Sequence, residues 1–194
     1  MDDIAWSAGT WSNPPVAVAT SEDGIRVSAA EGSDAWRLTS YGFVHDTEHA
    51  LLAPFTNGTA MEVTFRLDLA EQFDQAGIFV SVDEATWIKA GVERSDGEDC
   101  LGAVVTRGFS DWSLSPAPEW HGRLVTIRAS RSDDALTVRA RVEDEPWRLV
   151  RVAPLDERAV VTAGPMCCAP SRPGFEVHFT AWQTGPADGS LHAD

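Results

Sequence analysis

Basic residues are scarce in this sequence of 194 residues. It has 15 lysines and arginines against 30 aspartates and glutamates, which gives a formal net charge of -15. Binding to a nucleic-acid backbone or to an anionic membrane surface requires clustered basic side chains. We therefore expect neither nucleic acid nor a membrane as a partner, and we assign most of the negative charge to a solvated surface.

Long apolar runs and paired cysteines are also lacking. No stretch approaches the roughly 18 apolar residues of a membrane-spanning helix, and the N-terminal segment has no secretory-signal pattern. The cysteines, Cys100, Cys167 and Cys168, are odd in number, which is typical of a reducing compartment, so we expect a cytoplasmic protein. Neighbouring side chains of a strand point to opposite faces, so we expect one of the Cys167 and Cys168 thiols to be buried and the other exposed.

Helical periodicity is missing as well, and short strand-like segments take its place. Alternating patterns rich in β-branched and aromatic residues recur between clusters of Gly, Pro, Asp and Ser. These segments are residues 24–30, 36–44, 48–53, 59–69, 75–82, 87–94, 101–107, 122–130, 135–143, 147–152, 158–164 and 174–183. They predict an all-β fold, a two-sheet antiparallel β-sandwich. We expect one domain over residues 1–183 and a flexible C-terminal tail over residues 184–194.

The strands at 75–82 and 87–94 form the most informative pair. Their small and aliphatic side chains alternate and should face the core: Ala76, Ile78, Val80, Val82, Ile88, Ala90 and Val92. The opposite face then carries Lys89 and Glu93 beside Phe79. Lys89 is the only lysine of the chain, and an ammonium differs from a guanidinium in shape and in the ease with which its pKa shifts. The alternative is a surface lysine paired with Glu93.

Other polar and aromatic residues are expected near this face. Arg107 could reach it from the next strand, with Trp112 in a loop at its rim, while other candidates lie upstream of the hairpin. Sugars are bound by aromatic faces together with planar charged groups. The candidate ligand-binding residues are therefore Lys89, Glu93, Arg107, Trp112, Phe79, Gln75, Asp74, His45, His49 and Tyr41. Neither Lys89 nor Arg107 is expected in the core, so replacing either by alanine should leave the melting temperature nearly unchanged.

Several segments carry a family likeness. In order, WSNPP, DAWRLTSYGFVHDTEHAL, FDQAGIFVSVDEATWIKAGVE, VVTRGFSDWS and GPMCCAPSRPGFEVHFTAW resemble the domain of unknown function 1349 family, also called regulation-of-enolase-like, of the concanavalin A-like lectin/glucanase superfamily. The resemblance covers roughly residues 6–183. It implies a concanavalin A-like jelly roll with its ligand site on the concave sheet face, and it implies a link to sugar utilisation or to enolase regulation.

The superfamily includes glucanases, but their catalytic pair is not evident here. Retaining hydrolysis needs two carboxyl groups about 5–5.5 Å apart. Glu62 and Asp68 lie six residues apart, about 20 Å along a strand, and Asp96 is expected in a turn after Glu93. We also expect no metal and no cofactor, because neither an EF-hand loop, nor zinc-ligand spacing, nor a nucleotide-binding glycine pattern is present.

Three functional hypotheses remain. The first is a carbohydrate-binding or sugar-processing domain that takes a small polyhydroxylated ligand, a sugar or sugar acid. The second is a protein-interaction module that regulates a metabolic enzyme. The third is an enzyme, such as an epimerase or lyase, that transfers protons on a sugar with Lys89, Glu93, Arg107 and a nearby histidine. A polar groove with shifted pKa values favours a small ligand, and a large flat apolar patch favours a protein partner.

Overall fold

The structure, a computed structural model, describes residues 1–192; residues 193 and 194, the end of the expected tail, lie outside the described residues. Within residues 1–192 the chain forms short strands and two turns of 3-10 helix, Trp6–Ala8 and Pro118–Trp120. In chain order the strands are β1 (Asp2–Asp3), β2 (Thr10–Trp11), β3 (Ala17–Ser21), β4 (Gly24–Ser28), β5 (Ala35–Arg37), β6 (Val44–Asp46), β7 (His49–Pro54), β8 (Thr59–Arg66), β9 (Gln75–Asp83), β10 (Thr86–Ser95), β11 (Glu98–Arg107), β12 (Phe109–Pro116), β13 (Leu124–Ser132), β14 (Ala135–Val142), β15 (Arg148–Pro154), β16 (Thr162–Cys168) and β17 (Glu176–Pro186). None of the described residues forms a helix long and apolar enough to cross a membrane.

Two antiparallel sheets make up the fold. The eight-stranded sheet has the order β15-β14-β13-β8-β17-β4-β3, with β1 beside β17, and the seven-stranded sheet has the order β12-β11-β10-β9-β16-β7-β2. Strands β5 and β6 form a separate hairpin. The prediction of an all-β, two-sheet antiparallel sandwich with concanavalin A-like jelly-roll architecture is confirmed.

The core lies between the facing sides of the two sheets. Val63 and Phe65 of β8 and Ile127 of β13 meet Ile78 of β9 in one cluster of fully buried side chains. Burying such a side chain stabilises the fold by about 1.5–3 kcal/mol. The alternation predicted for the central hairpin is confirmed, because its small and aliphatic residues from Ala76 to Val92 all pack in or against this cluster.

The segment 36–44 is not the single strand that its composition predicted. Leu38 and Ser40 have φ values of 61° and 63°, in the left-handed region that ends a strand. The chain therefore turns back on itself, and Arg37 of β5 pairs with Val44 of β6. This hairpin lies over the seven-stranded sheet.

The C-terminal boundary also differs from the expected one. Strand β17 continues to Pro186 and pairs with β8 over its whole second half. Beyond it, the Asp188 carboxylate bonds to Arg128 Nε at 2.8 Å and contacts Arg139. The domain therefore extends past residue 183, because ion pairs and ladder hydrogen bonds hold a segment whose small polar residues suggested a free tail.

Candidate functional site

The outer face of the seven-stranded sheet, the side turned away from the other sheet, is covered by the β5–β6 hairpin. The hairpin is tied to the sheet where the Arg37 amide donates to Ser110 Oγ at 2.9 Å. Beneath it lies a second buried cluster, the outer cluster, formed by Ala35, Trp36, Ala50, Phe79, Trp87, Val104, Met166 and Cys168. The prediction of one exposed thiol is therefore wrong: Cys167 is buried in the core and Cys168 in the outer cluster.

A pocket of about 340 Å³ opens beside the outer cluster, between the hairpin and strands β9 to β11. This volume is at the small end of the range for small-molecule sites, about 300–1,000 Å³. Its wall combines aromatic rings with a few polar side chains: Gly32, Asp34, Trp36, Tyr41, Phe43, His45, Phe73, Gln75, Lys89, Glu93, Val104, Trp112 and Pro170. The sheet supplies Gln75, Lys89 and Glu93, whereas Asp34 and His45 come from the hairpin and the loop before it, as do most of the rings.

Three glycines lie in register on neighbouring strands of the seven-stranded sheet. Gly77, Gly91 and Gly102 are Cα partners on β9, β10 and β11. At Gly91, a Cβ atom would lie 2.2 Å from the Ala76 carbonyl oxygen and 2.7 Å from Gly77 Cα, so this close backbone approach requires glycine. These glycines lie between the row of Lys89 and the row of Glu93.

Lys89 is held in a buried ion pair. Its side chain is almost fully buried, and its Nζ donates to Asp34 Oδ1 at 2.9 Å and to Gln75 Oε1 at 2.8 Å. The Gln75 amide in turn donates to Asp34 Oδ1 at 3.3 Å, as does the backbone amide of Ala35 at 2.8 Å. All four contacts thus fix the geometry of the pair, and those to the carboxylate use only one of its two oxygens.

Both members of this pair are charged at neutral pH. Burial alone would lower the pKa of Lys89, but the Asp34 carboxylate raises that pKa above its ordinary value of 10.5. Burial alone would raise the pKa of Asp34, but the Lys89 ammonium lowers it below its ordinary value of 3.8. The pair therefore contributes one positive and one negative charge, which cancel.

Glu93 lies on the same face, four residues further along β10. Its Oε1 atom is buried and makes no hydrogen bond to any of residues 1–192. Burial raises the pKa of Glu93 to about 7, with Lys89 opposing the rise. A partnerless carboxyl group with a pKa near neutrality is typical of functional sites.

Aromatic rings form the rim of the pocket. Trp36 makes edge contacts with Tyr41 and Trp112 at centroid distances of 5.7 and 6.0 Å, and Tyr41 stacks on Phe43 at 5.3 Å. Tyr41, Phe43 and Trp112 are among the exposed large hydrophobic residues. Such contiguous rings offer apolar faces to a ligand while buried polar groups lie below them.

Six of the ten candidate ligand-binding residues line this pocket. They are Lys89, Glu93, Gln75, Tyr41, His45 and Trp112. A seventh, Phe79, shares the outer face but lies in the outer cluster, where it stacks on Trp87 at 5.3 Å. Trp112 reaches the rim from strand β12, opposite Val104, and not from a loop as expected.

Arg107 does not reach the pocket. Along β11 the core-facing residues are Leu101, Ala103 and Val105, so alternation gives Arg107 the same orientation and turns it away from the outer face. Its guanidinium donates to the Pro154 carbonyl of β15, on the other sheet. Its placement beside Lys89 was therefore wrong.

His49 and Asp74 bond to partners outside the pocket. His49 Nε2 accepts from the Ala30 amide at 3.0 Å, and Nδ1 bonds to the Asn13 carbonyl at 3.1 Å. Asp74 is fully buried, where it bonds to Arg172 at 2.6 Å and accepts from the amides of residues 70 and 71. Both side chains fix loops, and the structure leaves neither facing the pocket.

Asp34, Trp36, Phe43 and Phe73 were missed from the sequence. A buried lysine requires a carboxylate partner, so a partner for Lys89 was foreseeable, but Asp34 lies 55 residues away. Phe73 enters the wall from a turn, with a φ of 66°. Within residues 1–192, no three His, Cys, Asp or Glu side chains are grouped so that they could hold a metal ion.

Solved structures with similar folds include one from Saccharomyces cerevisiae, described as a functionally unknown protein. It superposes with a TM-score of 0.89 at 33% identity, covering 96% of this chain and 100% of that one. A second is xylan beta-1,4-xylosidase from Bacillus halodurans, with a TM-score of 0.64 at 17% identity, covering 83% of this chain and 32% of the enzyme. The second likeness concerns the fold alone.

Sequence comparison gives a relative and a family. "Regulation of enolase protein 1" of Saccharomyces cerevisiae is 35% identical over 187 residues, which cover 96% of this chain and 94% of the relative. The model of the family described as "Protein of unknown function (DUF1349)" matches residues 11–187. The chain belongs to this family.

Proposed function

We propose that the chain binds a small polyhydroxylated ligand, a monosaccharide or a short saccharide, in the pocket beneath the β5–β6 hairpin. The observation that carries this proposal is the exposed aromatic rim of Tyr41, Phe43 and Trp112 above a buried polar floor. A sugar ring has an apolar C–H face and a belt of hydroxyls, so it matches a site with both kinds of wall.

The polar floor has unused hydrogen-bond donors and acceptors for the hydroxyl groups of a ligand. An ammonium has three donors, of which Lys89 uses two on Asp34 and Gln75. The contacts of Asp34 within its pair use Oδ1, and Glu93 Oε1 makes no hydrogen bond in the described part of the chain. A ligand hydroxyl that bonds to Glu93 would satisfy a buried acceptor, which is favourable by about 1–3 kcal/mol.

The test is a thermal-shift screen against monosaccharides, amino sugars, sugar acids and short oligosaccharides. A ligand present at a hundred times its Kd should stabilise the protein by about 2.7 kcal/mol. The variant Trp112→Ala should lose most of this shift. Phe109→Ala is the matched control, because Phe109 is also an exposed ring on β12 but does not line the pocket. Failure of every saccharide to shift the folded protein would refute the proposal.

A more specific candidate function for the same site is the processing of a bound sugar. A general acid–base works best with a pKa near the working pH, and burial raises the pKa of Glu93 to about 7. Any saccharide that shifts the melting temperature should be incubated with the protein and followed by NMR. Conversion that Glu93→Gln abolishes would support an enzyme, while unchanged sugars would leave a binding domain.

A regulatory protein-interaction module is the second candidate function. The name of the yeast relative favours it, and so does the exposure of Tyr41 and Phe43, because aromatic residues dominate interface hot spots. Titration with purified enolase from the same organism tests it. A complex weakened by Phe43→Ala but unaffected by Phe109→Ala would favour this function.

The cytoplasmic location of the protein remains a prediction from its cysteine usage.

A further inference from the structure

The pocket contains one carboxyl group whose charge is not balanced. Lys89 and Asp34 cancel each other through their 2.9 Å contact. Among the described residues that line the pocket, Glu93 is the remaining acid and none is an arginine. The wall's other titratable side chains are Tyr41 and His45. Once Glu93 ionises, its negative charge is not balanced by the Lys89–Asp34 pair, so an anionic ligand would meet repulsion there and a cation would meet attraction.

In the part of the chain that the structure describes, the neighbours of Glu93 offer it no cation of its own. Its Cα partners are Gln75 on β9 and Cys100 on β11, and neither side chain is positively charged. Asp34, from the loop before β5, adds repulsion. Lys89 attracts Glu93 electrostatically, but its ammonium is bonded to Asp34 and Gln75. A ligand is therefore the group best placed to pair with the Glu93 carboxylate.

Resting on the proposed function, we propose that the ligand is an amino sugar whose protonated amine pairs with the Glu93 carboxylate, and that Glu93 determines this specificity. The rings of Trp36, Tyr41 and Trp112 agree with this assignment, because an aromatic face attracts both sugar C–H groups and cations. Sugar acids and sugar phosphates are disfavoured, because Lys89 is already neutralised by Asp34.

Matched ligand pairs test the charge preference. Isothermal titration at pH 6.5 should compare glucosamine with glucose, galactosamine with galactose and mannosamine with mannose, with glucuronate as the anion. In at least one pair the amino sugar should bind about tenfold more tightly or better than the neutral sugar, and glucuronate should bind more weakly than either. Glu93→Gln should remove the preference while neutral-sugar binding remains.

Proton release gives a second readout on the unaltered protein. At pH 6.5 part of the Glu93 population is protonated, since the pKa is raised to about 7. Pairing with an ammonium favours the ionised form, so binding should release roughly half a proton or more per ligand. The binding enthalpy should then depend on the ionisation enthalpy of the buffer. Glu62→Gln, a charge removal on the other sheet, is the control that should preserve this dependence.

The outcomes separate this inference from the proposed function. Equal affinity within all three pairs, or tightest binding of glucuronate, would overturn the amino-sugar assignment and leave saccharide binding intact. Tetramethylammonium binding as tightly as the best amino sugar would overturn it as well, because hydroxyls would then contribute nothing. Binding by none of the sugars would overturn both proposals.

Discussion

The outer faces of the two sheets differ in how completely their acidic side chains are paired with basic ones. On the eight-stranded sheet, Arg128 bonds to Glu62 at 2.6 Å and to Asp188 at 2.8 Å, and Arg139 also contacts Asp188. Each of these acids has an arginine partner, so the cluster is self-contained. Such a network secures strands and leaves little for a ligand to add.

On the seven-stranded sheet the pairing is incomplete. Lys89 and Asp34 match each other, whereas Glu93 keeps a buried oxygen without a hydrogen bond in the described residues. This buried carboxylate oxygen has no hydrogen-bond partner among residues 1–192, whereas both acids of the Arg128 cluster are paired with arginine. This difference supports the proposal that the seven-stranded face binds a ligand, whereas the Arg128 cluster holds strands of the other sheet together.

The largest expected effect is on the face of the eight-stranded sheet. Arg128→Ala should lower the free energy of unfolding by about 4 kcal/mol, because it leaves the largely buried Glu62 carboxylate without its cation. Urea denaturation measures this loss. The control is Arg26→Ala, since Arg26 pairs with Glu176 at 3.7 Å on an exposed surface and should lose less than about 1 kcal/mol. Equal losses in both variants would remove the contrast between the two faces.

Glu93→Gln should raise the free energy of unfolding, by an amount that depends on pH. The pKa of Glu93 rises from 4.5 to about 7 on folding, so the folded state holds this proton more tightly than the unfolded state. The resulting stability is present below pH 4.5 and is lost as the pH rises through 7, by on the order of 3 kcal/mol. Relative to the native chain, the glutamine variant should therefore gain stability between pH 5 and pH 8. A constant difference across this range would contradict the account of Glu93.

Lys89→Ala should lower the free energy of unfolding by about 2 kcal/mol, because Asp34 would keep a mostly buried charge without its partner. This revises the sequence-based expectation of an unchanged melting temperature. Arg107→Ala, at the exposed end of β11, should change stability by less than about 0.5 kcal/mol. Thermal melts of both variants provide the comparison, and equal losses would mean that the buried pair contributes no more than a surface contact.

Much of the fold was predictable because strand patterns are local. The alternation from Ala76 to Val92 predicted which side chains face the core, and the structure has them there. Strands whose polar composition is typical of loops were not predicted. The run 109–116 reads as a polar loop but pairs with β11 as an edge strand, and ladder hydrogen bonds carry β17 to Pro186 although its last residues are small and polar.

The sequence by itself determined that Lys89 and Glu93 share one face of a strand, because side chains alternate with period two along an extended backbone. Only the tertiary structure decided that this face is covered. The β5–β6 hairpin folds over it and places Asp34 against Lys89 across 55 residues of chain. Burial, ion pairing and the raised pKa of Glu93 all depend on that distant contact, and local sequence patterns carry no information about which segment supplies it.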